Sequence, residues 1–132
     1  MADAAIIREW LEKAQEDLRF AESNLLEGSE FFAQICFHFQ QAAEKYLKAY
    51  IIAEELNFGR VHDLVHLLRT CAAHDPTFDD LKEDCILLNT AYIETRYPVH
   101  WPTNYTQETA EQAHAAASRI ACVVRERLSS LS

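Results

Sequence analysis

From Ile7 to Leu25 apolar residues recur at alternating steps of four and three. Ile7, Leu11, Ala14, Leu18, Ala21 and Leu25 therefore fall on one stripe of a helix from about Ala4 to Glu27. Such a stripe has to be covered, and the chain is poorly equipped to cover it with a sheet. Only two glycines and three prolines punctuate 132 residues, whereas an all-β chain needs a turn roughly every ten residues. The cover must come from further helices.

Those helices can be placed in order. Gly28 supplies a C-terminal cap for the first and Ser29 a candidate N-cap for the second, so two antiparallel helices follow from a short link. The second is expected from about Glu30 to Leu56, roughly 40 Å at the helical rise per residue. Phe32, Ile35, Phe39, Ala43, Tyr46 and Tyr50 form its main stripe, and Phe31, Leu47 and Ile51 widen it until almost no face is fully polar. A helix apolar over so much of its circumference belongs at a bundle centre or partly against another chain.

After the turn Asn57-Phe58-Gly59-Arg60, Asp63 can cap a short helix carrying Leu64, Leu67, Leu68 and Cys71. Asp75-Pro76 marks the next break. A fourth helix is expected from about Thr77, with Phe78, Leu81, Cys85, Leu88 and Tyr92 inward. It stops near Arg96, because Pro98 disfavours helical geometry at Tyr97. The segment from Tyr97 to Tyr105 holds two prolines and is a constrained loop of the kind that carries function. Thr106 then caps a last helix with Ala110, Ala113, Ala117, Ile120 and Val124 on one seam, and the tail from Ser129 should fray. The fold class expected is all-α, a single domain over residues 1–132 built as an up-and-down bundle of about five helices.

Charge limits the partners. Twelve basic residues face twenty-one acidic ones, for a formal net charge of −9, so the molecule as a whole repels a phosphate backbone and any nucleic-acid contact is local. Cys36, Cys71, Cys85 and Cys122 form no C-x-x-C pair and read as buried free thiols of a reducing compartment. Met1-Ala2-Asp3-Ala4 does not open a signal peptide, and no apolar run nears the ~20 residues that span a bilayer. The expectation is a cytoplasmic protein with no membrane association.

Three motifs lie in order along the helices: Gln40-Gln41-Ala42-Ala43-Glu44-Lys45-x-x-Lys48-Ala49, then His62-Asp63-Leu64, then Arg96-Tyr97-Pro98, with Tyr105-Thr106 before the last helix. Together they resemble the HEPN domain family over nearly the whole chain. The resemblance implies a helical bundle that pairs as a two-fold homodimer. It also implies association with nucleotide or RNA, often beside a small nucleotidyltransferase partner encoded next to it. No cofactor is implied.

Many members of that family are metal-independent ribonucleases of toxin–antitoxin systems, with an arginine followed by four to six residues and a histidine. Here the matching pair is Arg96 and His100, whose spacer Tyr97-Pro98-Val99 is one residue short. If the pair acts, His100 is the base that takes the ribose 2′-hydroxyl proton and Arg96 the phosphate clamp. A structural role competes: Arg96 at a helix C-terminus can meet the dipole or pair with Glu94.

Other candidates also carry two readings. Gln41, Lys45 and Lys48 share one side of the second helix and can face a phosphate, with Arg96 and Tyr97 completing the set. Glu44 and Lys48 also form an i, i+4 pair of the sort found on solvated faces. His62 and His66 are spaced for zinc but lack third and fourth ligands, so no metal is expected. Tyr97 and Trp101 are the better base-stacking candidates, Tyr105 a weaker third, while the aromatics of the second helix are core or dimer surface. Three function classes follow: a binding or accessory module, a ribonuclease using Arg96 and His100, and a purely structural interaction bundle.

Overall fold

The structure, a computed structural model, describes residues 2–96 and 104–129, the side chains of residues 92–96 excepted. Among these residues it consists of helices α1 (Ala4–Leu26), α2 (Phe32–Ala53), α3 (Leu64–His74), α4 (Lys82–Arg96) and α5 (Gln107–Arg127), with a 3-10 turn over Pro76–Leu81. No helix among the described residues is long and apolar enough to cross a membrane.

Local chemistry sets the helix ends. The Asp3 carboxylate accepts from the Ala5 N–H at 2.8 Å and opens α1. Gly28, at φ +82°, turns the chain out of α1, and the Ser29 N–H closes back on the Asn24 carbonyl at 3.0 Å. Ser29 does not cap the next helix. Its hydroxyl accepts from the Phe31 N–H at 3.3 Å, Phe31 itself occupies the N-cap without a side-chain acceptor, and α2 begins at Phe32 rather than Glu30. The same helix ends at Ala53, short of Leu56, because Glu55 adopts φ 57° and the Leu56 N–H returns to the Ile51 carbonyl at 2.8 Å.

The expected fourth helix is divided. Asp75 accepts from the Thr77 N–H at 3.1 Å and starts a 3-10 turn, and α-helical geometry begins only at Lys82. Phe78, Leu81, Cys85 and Leu88 are buried as the spacing predicts, while the Tyr92 side chain lies outside those described. Thr106 and Thr109 form a reciprocal capping box at the start of α5, each backbone N–H donating to the other's hydroxyl at 3.2 Å.

Helix α2 is the axis of the domain. It packs against α1, α3, α4 and α5, and its buried residues, among them Ile35, Phe39, Ala42, Ala43, Glu44, Tyr46, Lys48 and Ala49, cover most of its circumference, leaving Gln34, Gln41 and Lys45 on a more open side. Ile7, Ala14, Leu18 and Ala21 of α1 are buried against this core, with Leu11 and Leu25 at its margin. The alanine-rich seam of α5, with Ala110, Ala113, Ala117, Ile120 and Val124 all buried, contains small residues that allow close approach to α2.

Cys36, Cys71 and Cys85 are buried, and burial pushes their thiols up to about 11, about 12 and about 12. Cys122, expected to be buried, is exposed. Two residues beyond buried Ile120 is about 200° round a helix, which points position 122 away from the seam. The residues after Ser129, where fraying was expected, lie outside those described.

Phe39 is fully buried and its ring stacks on His114 at 5.1 Å between centroids. Truncation at such a site leaves a cavity as well as losing transfer free energy, so Phe39→Ala should lower unfolding stability by about 3–5 kcal/mol. Urea denaturation measures it, and a loss under about 1 kcal/mol would show that the centre of the bundle is not where α2 meets α5.

Candidate functional site

Three polar residues interrupt the apolar circumference of α2. Gln40, Glu44 and Lys48 are spaced i, i+4, i+8 and so share one face, and their relative exposures are only 0%, 6% and 6%. Lys48 Nζ donates to Glu44 Oε2 at 3.0 Å and Gln40 Nε2 reaches Glu44 Oε1 at 3.5 Å. His62 Nδ1 lies 3.0 Å from Glu44 Oε2. An ionised carboxylate only accepts, so in the tautomer that carries its proton on Nδ1 the imidazole donates to Glu44. Gln41 extends the line by donating to Gln40 Oε1 at 2.7 Å.

The Glu44–Lys48 pair, expected on a solvated face, is instead nearly dry. Taking two charges out of water costs several kcal/mol per ion, and their attraction offsets that only when further hydrogen bonds satisfy the remaining sites. Gln40 and His62 supply those bonds to Glu44. His62 is more open than its partner, with 52% of its side chain exposed against 7% for Glu44, so the cluster runs from the core to the surface.

His62 is placed by the start of α3. Asp63 Oδ1 accepts from the Val65 N–H at 2.9 Å and the His66 N–H at 3.2 Å, which fixes the cap, and from Asn89 Nδ2 at 2.9 Å. Asn89 Oδ1 in turn accepts from the Leu64 N–H at 2.8 Å, tying α4 to the first turn of α3. The Asn89 hydrogen bond, followed by the two backbone N–H bonds, holds the Asp63 carboxyl below the usual carboxylate range despite partial desolvation.

On the other side of Lys48 the polar line meets aromatic residues. The ammonium sits 5.2 Å from the Phe58 ring centroid, and Phe58 meets Trp10 of α1 at 6.4 Å with planes at 78°. Lys45, one turn before Lys48, turns instead toward α1 and bonds to Asp17, which also faces His38 Nδ1 at 3.2 Å. The ammonium-bearing side chain of Lys45 stays 29% exposed. It lines a cavity of about 310 Å³ together with Glu9, Trp10 and Lys13. Lys45 and Lys48 are thus neighbours on α2 held by different carboxylates.

Arg96 is the last residue of α4. Its side chain, together with Tyr97, His100, Trp101 and the peptide at Pro98, lies outside the described residues. His66 does not join His62: it lines a separate hollow with Arg69 and His74. Among the described residues no group of three or more His, Cys, Asp or Glu side chains is arranged to hold a metal ion. Asp17, Asn89, Trp10 and Phe58 escaped sequence reasoning, since each acts through a neighbour distant in the chain and none carries a local spacing signal.

The chain is similar to proteins already known. The model of the HEPN domain matches residues 7–127. The crystal structure of TT1696 from Thermus thermophilus aligns with a TM-score of 0.75 and 36% identity, over 92% of this chain and 98% of that one. The crystal structure of ST0689, an archaeal HEPN homologue, gives a TM-score of 0.75 and 26% identity, over 92% of this chain and 97% of that one. None of the curated protein sequences matches.

Two measurements probe this geometry. Lys48→Met leaves the Glu44 carboxylate buried with Gln40 and His62 only, and should reduce stability by about 3 kcal/mol, the cost of orphaning one member of a buried pair. An unchanged urea midpoint would mean that the pair is solvated. For Asp63, the depressed folded pKa means its charge stabilises the fold fully above the unfolded value near ~3.9 and progressively less as pH falls through the folded one. The difference in Tm between the protein and Asp63→Asn should therefore be constant from about pH 5 to 8 and shrink below about pH 4. A difference that persists undiminished at the acid end would assign the effect to shape, not charge.

Proposed function

The chain belongs to the HEPN domain family, and we propose that it acts as an accessory module of that family, a homodimer that associates with nucleotide or RNA and works with a nucleotidyltransferase partner. The observation that supports nucleotide association is the line of Gln40, Glu44 and Lys48 buried on the central helix. A fully apolar face would serve packing at least as well, since replacing a buried ion pair by hydrophobic residues is often neutral or stabilising. A polar line retained there, reaching the surface at His62 and joining the aromatic pair Phe58 and Trp10 through Lys48, is suited to holding a ligand-binding surface in one arrangement.

Within this proposal Lys45 meets the phosphate directly, Arg96 and Tyr97 contribute from the end of α4, and Lys48 acts chiefly by ordering its neighbours. The homodimer is supported by large apolar side chains left on the surface near the α1–α2 turn, Phe20 at 52%, Leu26 at 85% and Phe31 at 68% exposure. The nucleotidyltransferase partner rests on family membership. A binding role is preferred to ribonuclease action because the Arg96–His100 spacer is one residue shorter than the catalytic pattern.

Light scattering should give twice the chain mass of 15.2 kDa. Calorimetric titration should detect AMP or a short single-stranded RNA, bound without cleavage and at least about tenfold more weakly by the Lys45→Ala/Arg96→Ala double variant, as loss of phosphate contacts implies. A monomer without affinity for either ligand contradicts the proposal. RNA cleavage that disappears in His100→Ala replaces it with the ribonuclease.

A further inference from the structure

The cavity between α1 and α2 has a composition unlike the rest of this acidic molecule. Its lining brings Lys13 and Lys45 together with Trp10 and a single carboxylate, Glu9, in a chain whose formal net charge is −9. Glu9 and Lys13 are one turn apart on α1 with Trp10 between them, so α1 offers a carboxylate, an indole and an ammonium to one space. Lys45 enters from α2. Its ammonium has three donors, and its contact with Asp17 leaves others for an anion. Among the described residues the ion-pair contact of Lys13 is a long one, 3.8 Å to the exposed Glu16, on a side chain that is itself 59% exposed, a pairing too weak to compete with a phosphate.

Trp10 is preorganised. Phe58 packs against it at 78°, and Phe58 is in turn held under the Lys48 ammonium, which the buried Glu44 fixes. The edge contact with Phe58 favours one orientation of the indole before a ligand arrives, which reduces the ordering cost of binding. The volume of about 310 Å³ is at the lower end of the roughly 300–1,000 Å³ typical of small-molecule sites. It suits a mononucleotide and is small for a dinucleotide.

We infer that this cavity receives a nucleoside monophosphate whose base carries an exocyclic amine, alone or as one residue of a single strand, with the base stacked on Trp10 and the phosphate between Lys13 and Lys45. Glu9 accepts a hydrogen bond from the exocyclic amine of the base. The inference rests on the nucleotide-associating role proposed above and gives it a location and a ligand class. Stacking on an aromatic plane is tolerant of sequence because every base has a π-face, and a cation beside the ring strengthens it.

Isothermal titration of the full chain with AMP, ribose 5-phosphate and inorganic phosphate tests it. AMP should bind at least about tenfold more tightly than ribose 5-phosphate, the difference being the stacked base. Trp10→Ala should weaken AMP by about tenfold and leave ribose 5-phosphate unchanged, while Trp10→Phe keeps AMP within about threefold. Lys13→Glu, on an exposed side chain that the fold does not need, should weaken AMP and ribose 5-phosphate alike, and it decides the matter if Trp10→Ala fails to fold. AMP bound equally by the protein, Trp10→Ala and Lys13→Glu overturns this site while nucleotide association stands. Affinity for a short RNA that Trp10→Ala and Lys13→Glu leave unchanged does the same, and affinity for neither ligand removes both.

Discussion

Helix α2 is packed by four other helices, and the rest of the domain is arranged by that constraint. A helix packed by α1, α3, α4 and α5 must bury most of its circumference, so each polar residue it buries has to find a partner inside the protein. Glu44 meets that requirement through Lys48, Gln40 and His62. His62 can serve only because Asp63 and Asn89 fix the first turn of α3. The buried carboxylate thus links α2 to α3 and, through Asn89, the position of α3 to α4.

The same cluster explains how a strongly acidic chain can present a surface suited to an anion. Glu44 neutralises Lys48 and holds it over Phe58, and Phe58 packs against Trp10. Asp17 holds Lys45 at the edge of the cavity without covering it. Negative charge in this region is used mainly to position cations, so that the cavity lining holds Lys13 and Lys45 beside one carboxylate, Glu9, while Asp17 and Glu16 meet the two ammonium groups from outside that lining. Elsewhere carboxylates tie the bundle together in a plainer way, as where Asp84 of α4 receives two donors of Arg119 of α5, at 2.9 and 2.7 Å.

Much of the fold was legible in the sequence because helical periodicity and caps are local. The stripes of α3 and α5 are buried at the positions their spacing indicates, as is that of α1 apart from the partly buried Leu11 and Leu25, and Asp63 and Thr106 cap as their places before apolar runs suggest. The boundaries of α2 were less legible, since the left-handed turn at Glu55 is made by a residue with no special preference for it. Of the candidate site, Lys45 and the His62-Asp63-Leu64 start could be picked out, whereas the burial of Glu44 and Lys48 could not. An i, i+4 ion pair looks the same on a solvated face and under a loop, and only the return of Phe58 and His62 onto α2 distinguishes them. Trp10 was hidden for the same reason: its partner Phe58 is 48 residues away in the chain.

The central claim is that the polar line of α2 is kept for ligand binding and not for stability. Replacing Gln40, Glu44 and Lys48 together by leucine, leucine and methionine tests it most directly, because the triple variant removes every buried charge of the line at once and, on α2, deprives only the part-buried Gln41 of its acceptor. Urea denaturation and AMP titration of that variant should show a domain at least as stable as the parent, to within about 1 kcal/mol, with AMP affinity lost. A variant that unfolds several kcal/mol more easily, or one that is stable and still binds AMP as the parent does, would contradict the account.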